Sequence, residues 1–199
     1  MTNLDPQKKR VGWSAVAVSF VFALSLAARH CPDKPSKQVS TSLVLTGDDK
    51  AVNARAVLNQ QQLVQVMGRP ASTIDDYVAN TLAARPVVEE AKGLVRLQMA
   101  SLARKKQQYA EDSPDATALD YALRLLGKDE EFIYLVSGEV SCALALRSMP
   151  QKKRVAYYEN HVLPIKDKER QVGQEFSAIA KEGQEKGVSW PESVKHMLQ

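Results

Sequence analysis

The feature that most constrains the fold is an uncharged run of 18 residues, Val11 to Ala28. As a helix rising about 1.5 Å per residue it would span roughly 27 Å, close to the ~30 Å hydrocarbon core of a bilayer. A helix that is apolar on every side has no face to present to water. Trp13 lies at its start and Lys8-Lys9-Arg10 precede it, which favours an N-terminus held in the cytoplasm. The sequence therefore predicts a membrane anchor at residues 11–28, with the bulk of the chain on the far side.

A cleaved signal peptide is the competing interpretation of the same segment. Its apolar region would be Ser14–Leu24, and Ser25-Leu26-Ala27 places small residues at the positions that a signal peptidase reads. The apolar run is longer than the ~7–15 residues usual in signal peptides, which favours a retained anchor. Lipidation at Cys31 is not indicated, since Arg29 and His30 stand where a lipoprotein signal needs small residues.

The remainder of the chain has the composition of a folded globular protein. Charged residues make up 25% and hydrophobic residues 44%, which is too apolar for a disordered chain. The net charge of +4 is modest, and the basic runs 104–106 and 152–154 have no aromatic residues between their charges. These runs are typical of solvated helix faces, so no nucleic-acid partner is indicated. The predicted division is a cytoplasmic N-terminus (1–10), an anchor or signal peptide (11–28), a proline-containing linker (29–47) and an extracytoplasmic domain (48–199).

Helical signals fill the chain after residue 48, so we expect an all-α domain, a bundle of about six or seven helices behind the N-terminal transmembrane helix. Pro86 either begins a new helix or kinks a long one. Ser113-Pro114-Asp115 has the form of a helix N-terminus, and Gly127 is expected to end that helix. The other predicted helices are 48–67, 72–110 (one kinked helix, or two that meet at Pro86), 129–149, 152–163, 164–186 and a short one after Trp190.

The predicted helix 164–186 has an apolar stripe of Val172, Phe176 and Ile179. By residue type, its charged side chains are expected to face water. These charged residues are Lys166, Lys168, Glu169, Glu182 and Lys186.

Glu139 is the most unusual polar residue of the domain. It lies in Phe132–Met149, a segment that is apolar nearly all round and is predicted to be the central helix of the bundle, with a second membrane span as the alternative. The residues three and four positions away are Leu135, Val136, Cys142 and Ala143. A carboxylate in such surroundings needs a partner or a raised pKa, so Glu139 is expected to form a buried ion pair or, less simply, to serve as a general acid or base.

Motifs for cofactors, metals or nucleophilic catalysis are missing from the sequence. The two cysteines, Cys31 and Cys142, have no CxxC or Cys/His spacing, but they could form one disulfide in an oxidising compartment. The segment from Tyr157 to His161 could do acid–base work, although Glu159 and His161 are two residues apart and do not share a helix face. Tyr157, Tyr158 and Trp190 are candidate partner-contact residues, because tyrosine and tryptophan are favoured at interfaces, or they are ordinary half-buried residues.

These features together predict a membrane-anchored helical scaffold or accessory subunit of an envelope complex, such as a secretion or conjugation apparatus. The expected location is a bacterial inner membrane with the domain in the periplasm, and a mitochondrial inner-membrane complex would suit the same features. If the N-terminal segment is cleaved, the alternative is an exported soluble binding module, a chaperone or an inhibitor. The expected partners are proteins and, through Val11–Ala28, the bilayer; no small-molecule substrate or cofactor is indicated.

Overall fold

A computed structural model of the chain describes residues 47–198, and every regular element in that range is helical, as predicted. The anchor at 11–28, Cys31 and nearly all of the linker 29–47 lie outside the described residues. The elements in chain order are α1 (Gly47–Met67), α2 (Ile74–Lys106), α3 (Pro114–Ser148), α4 (Gln151–Tyr157), a π-helical turn (Tyr158–Val162), α5 (Leu163–Glu185) and α6 (Glu192–Lys195).

Helix α3 is the centre of the bundle. It packs along α2 on one side and α5 on the other, while α1 packs on α2 and the short α6 closes against α3. Its apolar side chains are completely buried at positions that recur along its whole length, including Leu119, Leu126, Val136 and Leu146. Burial of this kind contributes roughly 1.5–3 kcal/mol for each large side chain, so α3 anchors most of the core.

Helix α2 begins with a complete capping box and runs through Pro86 without interruption. The Thr73 hydroxyl accepts a hydrogen bond from the N–H of Asp76, and the Asp76 carboxylate accepts one from the N–H of Thr73. Pro86 removes one N–H from the helical ladder. The helix continues because Ala84 and Val88, on either side of the proline, are buried in the core.

The predicted break at Gly127 is wrong: α3 passes through this residue and reaches Ser148. A glycine inside a helix costs about 1 kcal/mol relative to alanine. Here Leu125 and Leu126 before it and Ile133 after it are buried on the same core-facing side. Burial of these side chains outweighs the cost of one flexible residue, which is why a local stop signal fails.

The predicted boundary between helices at 163/164 is also different in the structure. The chain passes from α4 into α5 through the π-helical turn Tyr158–Val162, where the N–H of Leu163 donates to the carbonyl of Tyr158. Pro164 lies in the first turn of α5, where its missing N–H is least costly.

None of the helices within residues 47–198 combines the length and the apolar character that crossing a membrane requires, the segment Phe132–Met149 of α3 included.

Candidate functional site

A cluster of buried charged groups lies where α2, α3 and α5 meet. Glu139 is 0% exposed, Lys166 3% and Glu169 2%. The Lys166 Nζ lies 2.7 Å from Oε1 of Glu139 and 4.0 Å from Oε2 of Glu169. The Tyr77 hydroxyl lies 3.5 Å from Oε2 of Glu139, a long hydrogen bond in which the phenol donates. We call these four residues the buried ionic cluster.

Lys166 and Glu169 are buried in the structure, and the prediction that they face water is wrong. On α5 they continue a single inward stripe that includes Val172, Phe176 and Ile179, with spacings of three and four residues. Lys168 and Lys186, which lie off this stripe, are exposed as predicted. Helical spacing places Lys166 and Glu169 on the inward stripe, although charged residue types usually face water.

The charges in the cluster balance only if one carboxyl group is neutral. Burial raises the pKa of Glu169 well above its usual range, and the neighbouring Glu139 carboxylate raises it further. Burial also raises the pKa of Glu139, but Lys166 and the hydrogen bond to Glu169 oppose that rise. Lys166 therefore pairs most closely with Glu139, and Glu169 is the carboxyl group for which burial and the neighbouring carboxylate favour the protonated form.

The π-helical turn places aromatic groups against the cluster. The Tyr158 ring meets Tyr77 edge-on with the ring centroids 5.1 Å apart. Burial and the charge of Glu139 raise the pKa of Tyr158 to about 12, and both also raise the pKa of Tyr77. All of these phenols are consequently neutral hydrogen-bond donors at physiological pH.

Cys142 lies one turn after Glu139 on α3 and is 9% exposed. Tyr157 is hydrogen-bonded to its thiol, whereas burial raises the thiol pKa. The structure thus brings together four of the residues singled out from the sequence: Glu139, Cys142, Tyr157 and Tyr158. The proposed disulfide partner Cys31 lies outside the described residues, so that pairing stays a prediction.

Trp190 lies on the far side of the domain, away from the other candidate contact residues. Its ring meets Tyr121 edge-on at a centroid distance of 6.1 Å and covers Gly183, where an added Cβ would overlap the indole. The Tyr121 hydroxyl donates to Glu182 at 2.6 Å. Trp190 therefore helps to close the end of α5 against α3, and it is only half-buried.

His161 is exposed and stacks on Tyr157 with the ring centroids 4.3 Å apart. Glu159, two residues before His161, is also exposed.

A cleft between α1, α2 and α3 is separate from the buried ionic cluster. It is small and partly open to solvent, and Asp129 of α3 and His196 beyond α6 lie at its wall. Neither residue belongs to a motif in the sequence. Asp129 lies within α3 and His196 in the turn after α6, and they are brought to one cleft only when α1 and the C-terminal residues pack together.

A stripe of exposed residues runs along α3 on the side away from α5. Tyr134 and Leu144 are each 42% exposed, and Ser141 and Ser148 are exposed at spacings of three and four from them. Ser137, on the same face, is half-buried and accepts a hydrogen bond from Lys92. The Arg96 guanidinium lies 5.5 Å from the Tyr134 ring centroid and also pairs with Glu130. We call the five residues of α3 the outer stripe.

Within residues 47–198 no group of three or more histidine, cysteine or acidic side chains is placed to hold a metal ion.

Comparisons with protein-family models, with curated proteins and with solved structures found no match for this chain.

Proposed function

We propose that this chain is a membrane-anchored helical scaffold or accessory subunit of an envelope or inner-membrane complex, and that α3 contacts the partner protein. The observation that carries the proposal is the outer stripe, where two large side chains, Tyr134 and Leu144, are exposed on one face of a long helix. Single exposed apolar residues are common on protein surfaces. Two large exposed side chains on the same helix face, with serines between them, form a surface that a partner protein can contact.

The shape of the α2–α3 pair supports this proposal. The two helices are 33 and 35 residues long, roughly 50 Å each at about 1.5 Å per residue. They are joined near their midpoints by Lys92, which donates to Ser137 at 2.7 Å, and by Arg96, which pairs with Glu130 at 3.1 Å. A long pair of helices joined by such contacts can hold a contact surface at a fixed position within the domain.

The chemistry of the outer stripe suits an amphipathic helix of a partner subunit. Ser137, Ser141 and Ser148 are small, which lets a second helix approach closely, while Tyr134 and Leu144 provide apolar area at either end. Tyrosine is favoured at such interfaces because it combines a large apolar surface with a hydroxyl group.

The buried ionic cluster supports the same proposal in a different way. Buried charges paired across helices contribute little net stability, yet they penalise any packing that separates them. Glu139 of α3 meets Lys166 of α5 only in the observed alignment of the two helices. We infer that the cluster keeps α3 in one orientation, and with it the outer stripe.

The membrane part of the proposal is supported by the uncharged run Val11–Ala28 and the basic residues before it. Carbonate extraction of native membranes followed by intact mass measurement tests it. A membrane-retained species with its N-terminus intact is expected. A soluble species beginning at Ala28 or Arg29 would instead favour an exported binding module.

The contact surface is tested by photo-crosslinking in cells that contain the native complex. A benzophenone amino acid at Leu144 is expected to give a discrete adduct with a second protein. The same substitution at Leu58 is the matched control, because Leu58 is a leucine on α1 that is 51% exposed. Adducts of equal yield from both positions, or none from Leu144, would refute the assignment of the stripe.

A further inference from the structure

The cleft between α1, α2 and α3 has the form of a small-ligand site. Its apolar lining includes Leu63, Val95 and Ile133, which are core residues. Its polar lining includes Asp129, Gln98 and His196. A concave, mostly apolar surface with a few converging polar groups is the usual form of a small-molecule site.

Asp129 lies in this cleft, and the negative charge of its carboxylate has no partner among the described residues. No cation and no hydrogen-bond donor within residues 47–198 pairs with its carboxylate, and removal from water raises its pKa to about 7. The neighbouring ionic groups are engaged elsewhere: Lys128 pairs with Glu131 and Glu175, and Glu130 pairs with Arg96. A partly buried carboxylate left unpaired is costly unless a cation reaches it.

Two other polar groups of the cleft, Gln98 and His196, can also accept hydrogen bonds. Gln98 uses its Nε2 to donate to Asn53 at 3.0 Å and to the carbonyl of Ser193 at 3.3 Å, so its amide oxygen is left as an acceptor. Burial lowers the pKa of His196, which keeps the imidazole neutral with one accepting nitrogen. Its Nδ1 is buried and has no hydrogen-bond partner in the described part of the chain.

We propose that this cleft binds a primary alkylammonium group, with the ammonium against Asp129 and the alkyl chain along the wall formed by Val95 and Ile133. An ammonium group offers three N–H donors and a positive charge, which matches a carboxylate and two neutral acceptors. An anion would meet the carboxylate and two acceptors with no donor cation. The same chemistry can come from a free amine or from the side chain of a lysine.

The proposal is tested by titrating the full-length chain, in non-ionic detergent, with butylammonium chloride while recording amide resonances of Val95 and Ile133. We expect saturable shifts in the millimolar range, as is reasonable for a probe of about five non-hydrogen atoms. n-Butanol, which has the same chain length without the charge, is expected to give no saturable shift. A parallel titration with Nα-acetyl-lysine N-methylamide distinguishes the source: binding at least as tight as butylammonium assigns a lysine side chain, and weaker binding assigns a free amine.

The decisive variant is Asp129→Asn, which removes the negative charge and keeps the shape. Its affinity for butylammonium is expected to fall at least tenfold. Asp112→Asn is the matched control, because Asp112 is exposed between α2 and α3, and its affinity should be unchanged. Asp129→Asn relieves an unpaired charge, so it should fold at least as well as the native chain. Equal binding of butanol, unchanged binding by Asp129→Asn, or no saturable shift with butylammonium would overturn the proposal.

Discussion

Replacing Lys166 by methionine tests whether the buried ionic cluster depends on its one cation. The change keeps a flexible side chain of similar length in the core, so packing is largely preserved. It leaves Glu139 and Glu169, which are 0% and 2% exposed, without a positive charge. Breaking a buried ion pair by removing one partner typically costs about 3–5 kcal/mol, because the remaining charge is uncompensated.

The pH dependence gives the same magnitude independently. Without Lys166, Glu139 must stay protonated in the folded state, whereas in the unfolded chain it ionises above its ordinary pKa of 4.5. The folded state then binds the proton more tightly, so stability is highest below pH 4.5 and falls as the pH rises. At about 1.36 kcal/mol per pH unit, the interval from 4.5 to 7 corresponds to at most about 3.4 kcal/mol.

Urea unfolding of the full-length chain, followed by circular dichroism at pH 4.5 and pH 7, measures both effects. The Lys166→Met variant is expected to be only mildly destabilised at pH 4.5 and strongly destabilised at pH 7. Lys181→Met is the matched control on the same helix. Its exposed pair with Glu185, at 3.8 Å, should contribute less than about 0.5 kcal/mol at either pH.

The double variant Glu139→Gln/Lys166→Met adds a second check. It removes both charges of the pair, and it is expected to recover most of the stability that the single lysine variant loses. If Lys166→Met lost the same stability at both pH values, or less than about 1 kcal/mol at pH 7, the cost would come from packing and the charge argument would be refuted.

Three further changes test other parts of the structure by thermal or urea unfolding. Gly183→Ala forces a Cβ against Trp190 and should lower the free energy of unfolding by about 1–3 kcal/mol. Gly93→Ala, at an exposed helix position with open space around it, should raise it by about 0.5–1 kcal/mol. Equal effects of the two variants would contradict the close approach of Trp190 to Gly183. Asp129→Asn removes a carboxyl group whose pKa is raised from 3.8 to about 7. The free energy of unfolding of the native chain should therefore fall as the pH rises from 3.8 to 7, and that of the variant should not. Above pH 7 the variant should be more stable than the native chain by only about 1–2 kcal/mol, because water reaches the partly exposed carboxylate. Ser113→Ala removes the hydroxyl that caps α3 and should cost about 1 kcal/mol, and a variant as stable as the native chain would show that the cap is dispensable.

Much of the fold could be predicted because helix signals are local. The N-terminus at Ser113-Pro114 was predicted from its hydroxyl and proline, and the structure has a serine cap and a first-turn proline there. The end of α1 at Met67 followed in the same way from Gly68 and the proline beyond it. The helix end predicted at Gly127 is wrong because a local stop signal competes there with tertiary packing. Burial of Leu126 and Ile133 by other helices outweighs the cost of the glycine.

The candidate sites were predictable only in part. The position of Glu139 among apolar neighbours was sufficient to expect a buried carboxyl group, because helical spacing alone decides which residues share its face. Its partners were not predictable in the same way. Tyr77 is 62 residues away, and Lys166 belongs to a helix whose inward face includes charged groups only because Glu139 compensates them.

By itself, the sequence determined an all-helical domain after residue 47, most of its helix ends and the burial of one acidic residue. Tertiary packing decided that α3 is continuous, that Lys166 and Glu169 turn inward and that Asp129 lines a cleft with His196. The physical reason is the range of the interactions. Helix formation and capping depend on residues within one turn, whereas charge compensation and cavity shape depend on groups brought together from distant parts of the chain.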